Sequence, residues 1–204
     1  MPIRRGAVSC SRFRVVGDVP KDVRRWLTRA LTARAFEPID PKSDDERTAG
    51  FVELDDDRAT GFAAGTVFDG GYALFAWRVE KIRIPGTAVR GEMTAWSQKF
   101  EAKNGRAPGR KEKGDQKDLI RRALRSKTEP SVKIFDVSWE LASNEVLVWG
   151  TSRGIVEEVQ VALEEKLEVR LVPRVPASFV SPDTLDQLSP TPELFGHELS
   201  EVCS

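Results

Sequence analysis

Between Ala7 and Val16 the chain alternates apolar and basic side chains, Phe13 and Val15 against Arg12 and Arg14. That period of two predicts a strand with one buried face. The period then lengthens. Val23, Trp26, Leu27, Ala30 and Leu31 recur at helical spacing after Asp18 and Pro20, with Arg24, Arg25 and Arg29 pointing elsewhere, until Phe36-Glu37-Pro38 ends the helix. A polar loop over 40–48 leads to a short strand near Gly50–Leu54 and an acidic turn at Asp55-Asp56-Asp57. Residues 71–84 predict a long strand, with Tyr72, Leu74, Phe75, Trp77, Val79, Ile82 and Ile84 apolar and Arg78, Lys81 and Arg83 opposite. Pro85 starts a helix whose buried stripe is Val89, Met93, Trp96 and Phe100, closed by Asn104-Gly105.

Pro108 starts a further helix to about Arg125, with Leu119, Ile120, Ala123 and Leu124 as its apolar face. On that helix Arg110, Lys113, Lys117, Arg121 and Arg125 form a second stripe, because steps of three and four return to one side. Strands are predicted over Val132–Leu141 and Glu145–Thr151, joined by an Ala-Ser-Asn turn. Gly154 precedes a helix burying Ile155, Val159, Ala162, Leu163 and Leu167, and Val169–Val172 is a last strand. The order β-α-β-β-α-α-β-β-α-β describes an α+β domain over 1–173, its helices packed on one face of a mostly antiparallel sheet. Residues 174–204 turn to Pro, Ser, Glu and Asp and read as a flexible tail dispensable for folding.

Charge changes the picture. The chain carries 32 Lys and Arg against 32 Asp and Glu. Residues 78–133 nevertheless hold 16 Lys and Arg against 7 Asp and Glu, and residues 134–204 hold 4 against 13. A basic segment this concentrated points to a polyanionic partner. No apolar run approaches the length of a membrane span, and the N-terminus has no apolar signal core. Cys10 and Cys203 lie at opposite ends and make no CxxC, which favours a reduced, cytoplasmic setting.

The candidate chemistry is sparse. His197, in the tail, is the only histidine, so His/Cys metal sites and Ser-His-Asp or Cys-His arrangements are not expected, and neither is catalysis or a cofactor. Gly105-Arg106-Ala107-Pro108-Gly109-Arg110 lacks the Lys-Ser/Thr of a phosphate-binding P-loop. Asp55, Asp56 and Asp57 read as a solvated turn rather than a cation site. The five tryptophans sit on apolar faces, which favours packing over stacking on bases. The basic stripe remains, either a solvated helix face partly neutralised by Glu112, Asp115 and Asp118 or a phosphate-binding surface extended by Arg106, Lys111 and Arg122.

One resemblance covers most of the chain. GRAPGRKEKGDQKDLI looks like the GR-x-x-GRKEK-x-x-LKD signature of the bacterial RdgC recombination-associated proteins. RVVGDVPKDVRRWLTRALTARAFEPI is similar to that family's opening strand and helix, and AGFVEL to its GWV strand. ALFAWRVEKIRIPGTAV resembles the strand carrying R-x-E-K/R-x-L-P, and VKIFDVSWELASNEVLVWGTSRGIVEEVQVALEEKL the W-I-D strand, hairpin and helix. All occur in order over 7–173. The chain departs from the family in having RRALRSKTEPS where the family has LLPRAF, and in reaching only about the first half of a typical member.

The resemblance implies a non-enzymatic, sequence-independent DNA-binding protein, nucleoid-associated, that restrains RecA-type strand exchange. Family members form a dimeric ring around duplex DNA; a chain of this length is expected to lack the half that helps close it. The DNA-binding candidates are Lys81, Arg83, Arg106, Arg110, Lys111, Lys113, Lys117, Arg121, Arg122 and Arg125. Duplex DNA is the expected partner, with single-stranded DNA the other nucleic-acid reading. A homodimer is expected to pair through the Tyr72–Ile84 strand at a sheet edge. The alternative is a protein–protein adaptor that keeps the fold without DNA binding and holds a partner through its acidic C-terminal half.

Overall fold

The computed structural model describes residues 9–40 and 43–175, together with Val180 and Thr184. Most of the tail reading over 174–204, with His197 and Cys203, therefore lies outside the described residues; Arg174, within them, donates its N–H to the Arg12 carbonyl at 2.8 Å. The elements are β1 (Ser11–Val16), α1 (Val23–Ala33), β2 (Arg47–Glu53), α2 (Ala64–Val67), β3 (Phe68–Asp69), β4 (Tyr72–Lys81), α3 (Gly86–Asn104), α4 (Arg110–Arg125), β5 (Ser131–Glu140), β6 (Glu145–Val148), α5 (Arg153–Leu167) and β7 (Arg170–Pro173). The expected α+β order is present, with α2 and β3 added between β2 and β4. Seven antiparallel strands form one open sheet in the order β2-β4-β5-β6-β1-β7, with β3 pairing the start of β4.

Helices α1 and α5 cover one face. Asp22 caps α1, its carboxylate accepting the Arg25 N–H at 3.2 Å. Leu27 and Leu31 of α1 and Val159 and Leu163 of α5 then meet Phe51, Phe75, Trp77, Trp139 and Val146 in one buried cluster. Phe51 sits edge-on to Trp77 at 4.7 Å between ring centroids, and Trp26 edge-on to Trp139 at 6.1 Å. Each of these large side chains contributes roughly 2–3 kcal/mol by leaving water. A smaller cluster, Phe36, Val52, Leu54 and Ala76, lies on the opposite face of β2 and β4.

Two expectations are corrected here. Strand β4 is not an edge strand: β2 and β3 pair one of its sides and β5 the other along its whole length. A homodimer joined through it is therefore closed off. Nor do all helices pack on the sheet. The pair α3 and α4 packs against itself as a hairpin, with Val89 the buried residue of α3 and Ile120 that of α4. Leu119, expected on the apolar face, is 57% exposed, because a lone partner helix covers a narrower stripe than a sheet would.

The true edges are partly tied off by the chain itself. On the outer side of β2, Phe36 donates its N–H to the Phe51 carbonyl at 2.9 Å and Phe51 donates to the Arg34 carbonyl at 2.9 Å. That crossing needs Gly50, where a Cβ would lie 2.5 Å from the Phe36 Cα. On β7, Leu171 donates its N–H to Glu164 Oε1 at 2.6 Å and its carbonyl accepts from Gln160 Nε2 at 3.1 Å.

Candidate nucleic-acid interface

The hairpin is built by its ends. Pro85 holds extended backbone ahead of α3, and Gly105 ends that helix in the left-handed region at φ 65°, donating its N–H to the Glu101 carbonyl at 2.9 Å. At the tip Arg106 grips Glu112 with two nitrogens, at 2.9 and 2.7 Å, and lies over the Phe100 ring at 5.1 Å. Glu112 also accepts the Gly109 N–H at 2.7 Å, across the start of α4. The Arg106 bonds above all, then the Gly109 N–H, hold the Glu112 carboxyl down at about 2. The same partner holds the Arg106 guanidinium above its ordinary range.

At the foot of the hairpin the cations converge. Lys81 and Arg83 leave the end of β4, Arg90 comes from α3, and Lys117, Arg121 and Arg122 come from α4. All six are exposed and line one cleft of about 660 Å³, floored by Ile82, Ile84 and Val89 and rimmed by Asp44 and Glu46. Among the described residues no ion pair engages any of the six. Arg125 also lines the cleft, but it is half-buried and donates to the Asp45 carbonyl at 2.6 Å, fastening α4 to the loop before β2. From Lys81 and Arg83 a second groove runs past Ser131 and Lys133 to Arg47, whose guanidinium holds Glu158 at 2.7 and 2.5 Å.

The structure thus divides the ten sequence candidates. Lys81, Arg83, Lys117, Arg121 and Arg122 share the cleft, with Arg125 tethered beside them. Arg106, Arg110, Lys111 and Lys113 belong to the tip, Arg110 lying roughly 16 Å along the helix axis from Arg121, and Arg106 is already neutralised by Glu112. Sequence reasoning missed Arg90 and Lys133. Arg90 adjoins Val89 off the apolar stripe of α3, a signal present in the helical wheel. Lys133 joins the surface only through the register Val79↔Lys133.

Arg78 was counted with the basic segment and is a structural cation instead. It is 7% exposed, donates to Glu80 at 2.6 Å and to the Asp57 carbonyl at 2.6 Å, pairs with the Asp57 carboxylate at 3.2 Å, and lies over Phe36 at 4.8 Å. Of the tryptophans, Trp77 and Trp139 are fully buried, while Trp26, Trp96 and Trp149 are half-buried, Trp96 packing on Phe100 at 5.3 Å between ring centroids and Trp149 donating its indole N–H to Ser138 at 3.0 Å. Among the described residues no group of three or more His, Cys, Asp or Glu side chains is placed to hold a metal ion, and no helix is long and apolar enough to cross a membrane.

A comparison with curated proteins finds no match. A family model described as "Putative exonuclease, RdgC" matches residues 10–184. The match takes in every strand, both sheet-covering helices and the whole hairpin. The chain belongs to the RdgC family.

Proposed function

We propose that this protein binds duplex DNA without sequence preference, through the cleft between the end of β4 and the foot of the α3–α4 hairpin, and modulates recombination or RecA-type strand exchange by that contact. Family membership supports a recombination-related, DNA-associated role. The observation that carries the site is the convergence of Lys81, Arg83, Arg90, Lys117, Arg121 and Arg122 from the end of β4, from α3 and from α4, none of them held in an ion pair among the described residues. Long cationic side chains around a cleft neutralise phosphates and release counterions, and they read no base edges. Among the described residues no aromatic side chain lines the cleft to stack on unpaired bases, which favours the duplex over a single strand. Association with the nucleoid follows from the proposed contact.

The family description names an exonuclease. Metal-assisted phosphodiester hydrolysis needs carboxylates converging on the cations. The cleft's own carboxylates, Asp44 and Glu46, stand at the rim of a cationic site, and the proposed contact is one of binding without hydrolysis or cofactor. Incubating end-labelled duplex with the protein and Mg²⁺ or Mn²⁺ is expected to leave full-length strands; progressive shortening would overturn this.

The binding test is a salt titration on random-sequence duplex. Affinity is expected to fall steeply as salt rises. Absence of binding at low ionic strength would sink the DNA reading and leave the adaptor. Two associated copies would bring two clefts to one duplex and steepen the slope further. Sedimentation equilibrium settles that question: a mass of 22.8 kDa independent of concentration is the monomer.

A further inference from the structure

We propose that the acidic C-terminal segment of this chain competes with DNA for the basic cleft, so that the protein carries its own anionic regulator. The inference rests on the cleft being the polyanion site. Residues 176–204 contain Asp183, Asp186, Glu193, Glu198 and Glu201 and neither Lys nor Arg. The last three lie beyond the end of the family match at residue 184. The cleft, by contrast, gathers six exposed cations that no described carboxylate neutralises by an ion pair.

The sheet register fixes how far the segment must reach. Pro173 pairs with Phe13, Phe13 with Val146, Val146 with Trp139 and Trp139 with Ala73. The last strand thus ends level with Ala73 of β4, four strands away, or about 19 Å at 4.8 Å per strand. Lys81, at the cleft, is eight residues further along β4, about 27 Å. The diagonal is therefore roughly 33 Å. Ten residues to Asp183 span that distance only when fully stretched, at about 3.4 Å each. Glu193, Glu198 and Glu201 stand 20, 25 and 28 residues beyond Pro173, and at up to about 3.4 Å per residue that length of chain exceeds the distance with room to spare. Geometry selects the three distal glutamates as the competing group.

Tethering supplies the affinity. A single exposed carboxylate gains little from a single exposed cation. Three on a tether of matched length act at an effective concentration on the order of millimolar. Attraction of this kind fades as the Debye length shrinks from about 10 Å at 0.1 M salt. DNA, with a charge every ~1.7 Å, displaces the segment when it is abundant. The segment therefore raises the DNA concentration needed for occupancy and leaves the bound complex unchanged.

The test uses the full chain carrying Glu193→Gln, Glu198→Gln and Glu201→Gln. Its affinity for random duplex near 50 mM salt should exceed that of the unsubstituted chain about five- to tenfold, the gap closing as salt approaches 300 mM. Equal affinities for the two proteins would overturn the competition while leaving DNA binding intact. Failure of both to bind would sink the cleft's function itself. A second readout needs no DNA. In a Cys10→Ser chain, a spin label on Cys203 should broaden the amide signals of Lys117, Arg121 and Arg122, and high salt should restore them. Broadening elsewhere or nowhere would overturn the docking, and broadening only of an unlabelled copy mixed with a labelled one would overturn its intramolecular form.

Discussion

Two triple substitutions of equal charge separate the cleft from the rest of the basic helix. Lys117→Ala, Arg121→Ala and Arg122→Ala empty half of the cleft; Arg110→Ala, Lys111→Ala and Lys113→Ala remove the same charge nearer the tip. All six side chains are exposed, so neither variant should lower the melting temperature. If each of the six cleft cations neutralises one phosphate, log K falls against log salt with a slope of about −5. The unsubstituted protein then loses about 10³-fold in affinity between roughly 50 and 200 mM salt. With three contacts gone the slope drops to about −2.7, the loss over that range shrinks to about 40-fold, and affinity at ~50 mM falls by about three decades. The tip variant should keep the original slope to within about one unit. Fluorescence anisotropy of a labelled random duplex across that salt range measures all three. Equal loss of slope in the two variants would refute the cleft and restore the uniform stripe; an initial slope shallower than about −2 would refute the count of six.

Arg78→Ala leaves Glu80 buried without its cation and should cost about 3–5 kcal/mol, read as a large drop in the denaturant midpoint; a change under about 1 kcal/mol would show that the pair is solvated. Gly50→Ala drives a methyl into the Phe36 backbone and should destabilise by roughly 1–3 kcal/mol, and a neutral result would mean that the 34–36 segment moves freely off β2. Folding lowers the Glu112 carboxyl from 4.5 to about 2. Its contribution to the hairpin tip is accordingly complete above about pH 4.5 and is lost as pH falls through 2. The Gly109 amide shift should titrate with a midpoint near 2, and a midpoint near 4.5 would refute the Arg106 pairing.

How much of this was legible in the sequence follows from how local each signal is. The alternation around Phe13 and Val15 and the helical spacing from Val23 to Leu31 are local, and the structure keeps both. Elements as short as α2 and β3 carry no full period. Arg47 and Thr48 read as loop by composition and become strand because β4 supplies the ladder, Arg47 opposite Lys81 and Thr48 opposite Glu80. Arg78 defeats the alternation rule for a related reason. The rule assumes that one face of β4 meets water, and the covering segment with Phe36 and the loop with Asp57 remove that face from solvent, so the cation there is paired rather than displayed. The apolar stripe Val89, Met93, Trp96 and Phe100 is equally suited to a sheet or to a single helix, and only the hairpin's packing decides between them. The site shows the same limit. The helical wheel tells which side of α4 is basic, but says nothing of which part of that side another element approaches. It is the crossing of the β4–α3 connection beside Lys117, Arg121 and Arg122 that turns half of a stripe into a cleft, and pairs set about forty residues apart in sequence leave no periodic trace of that approach.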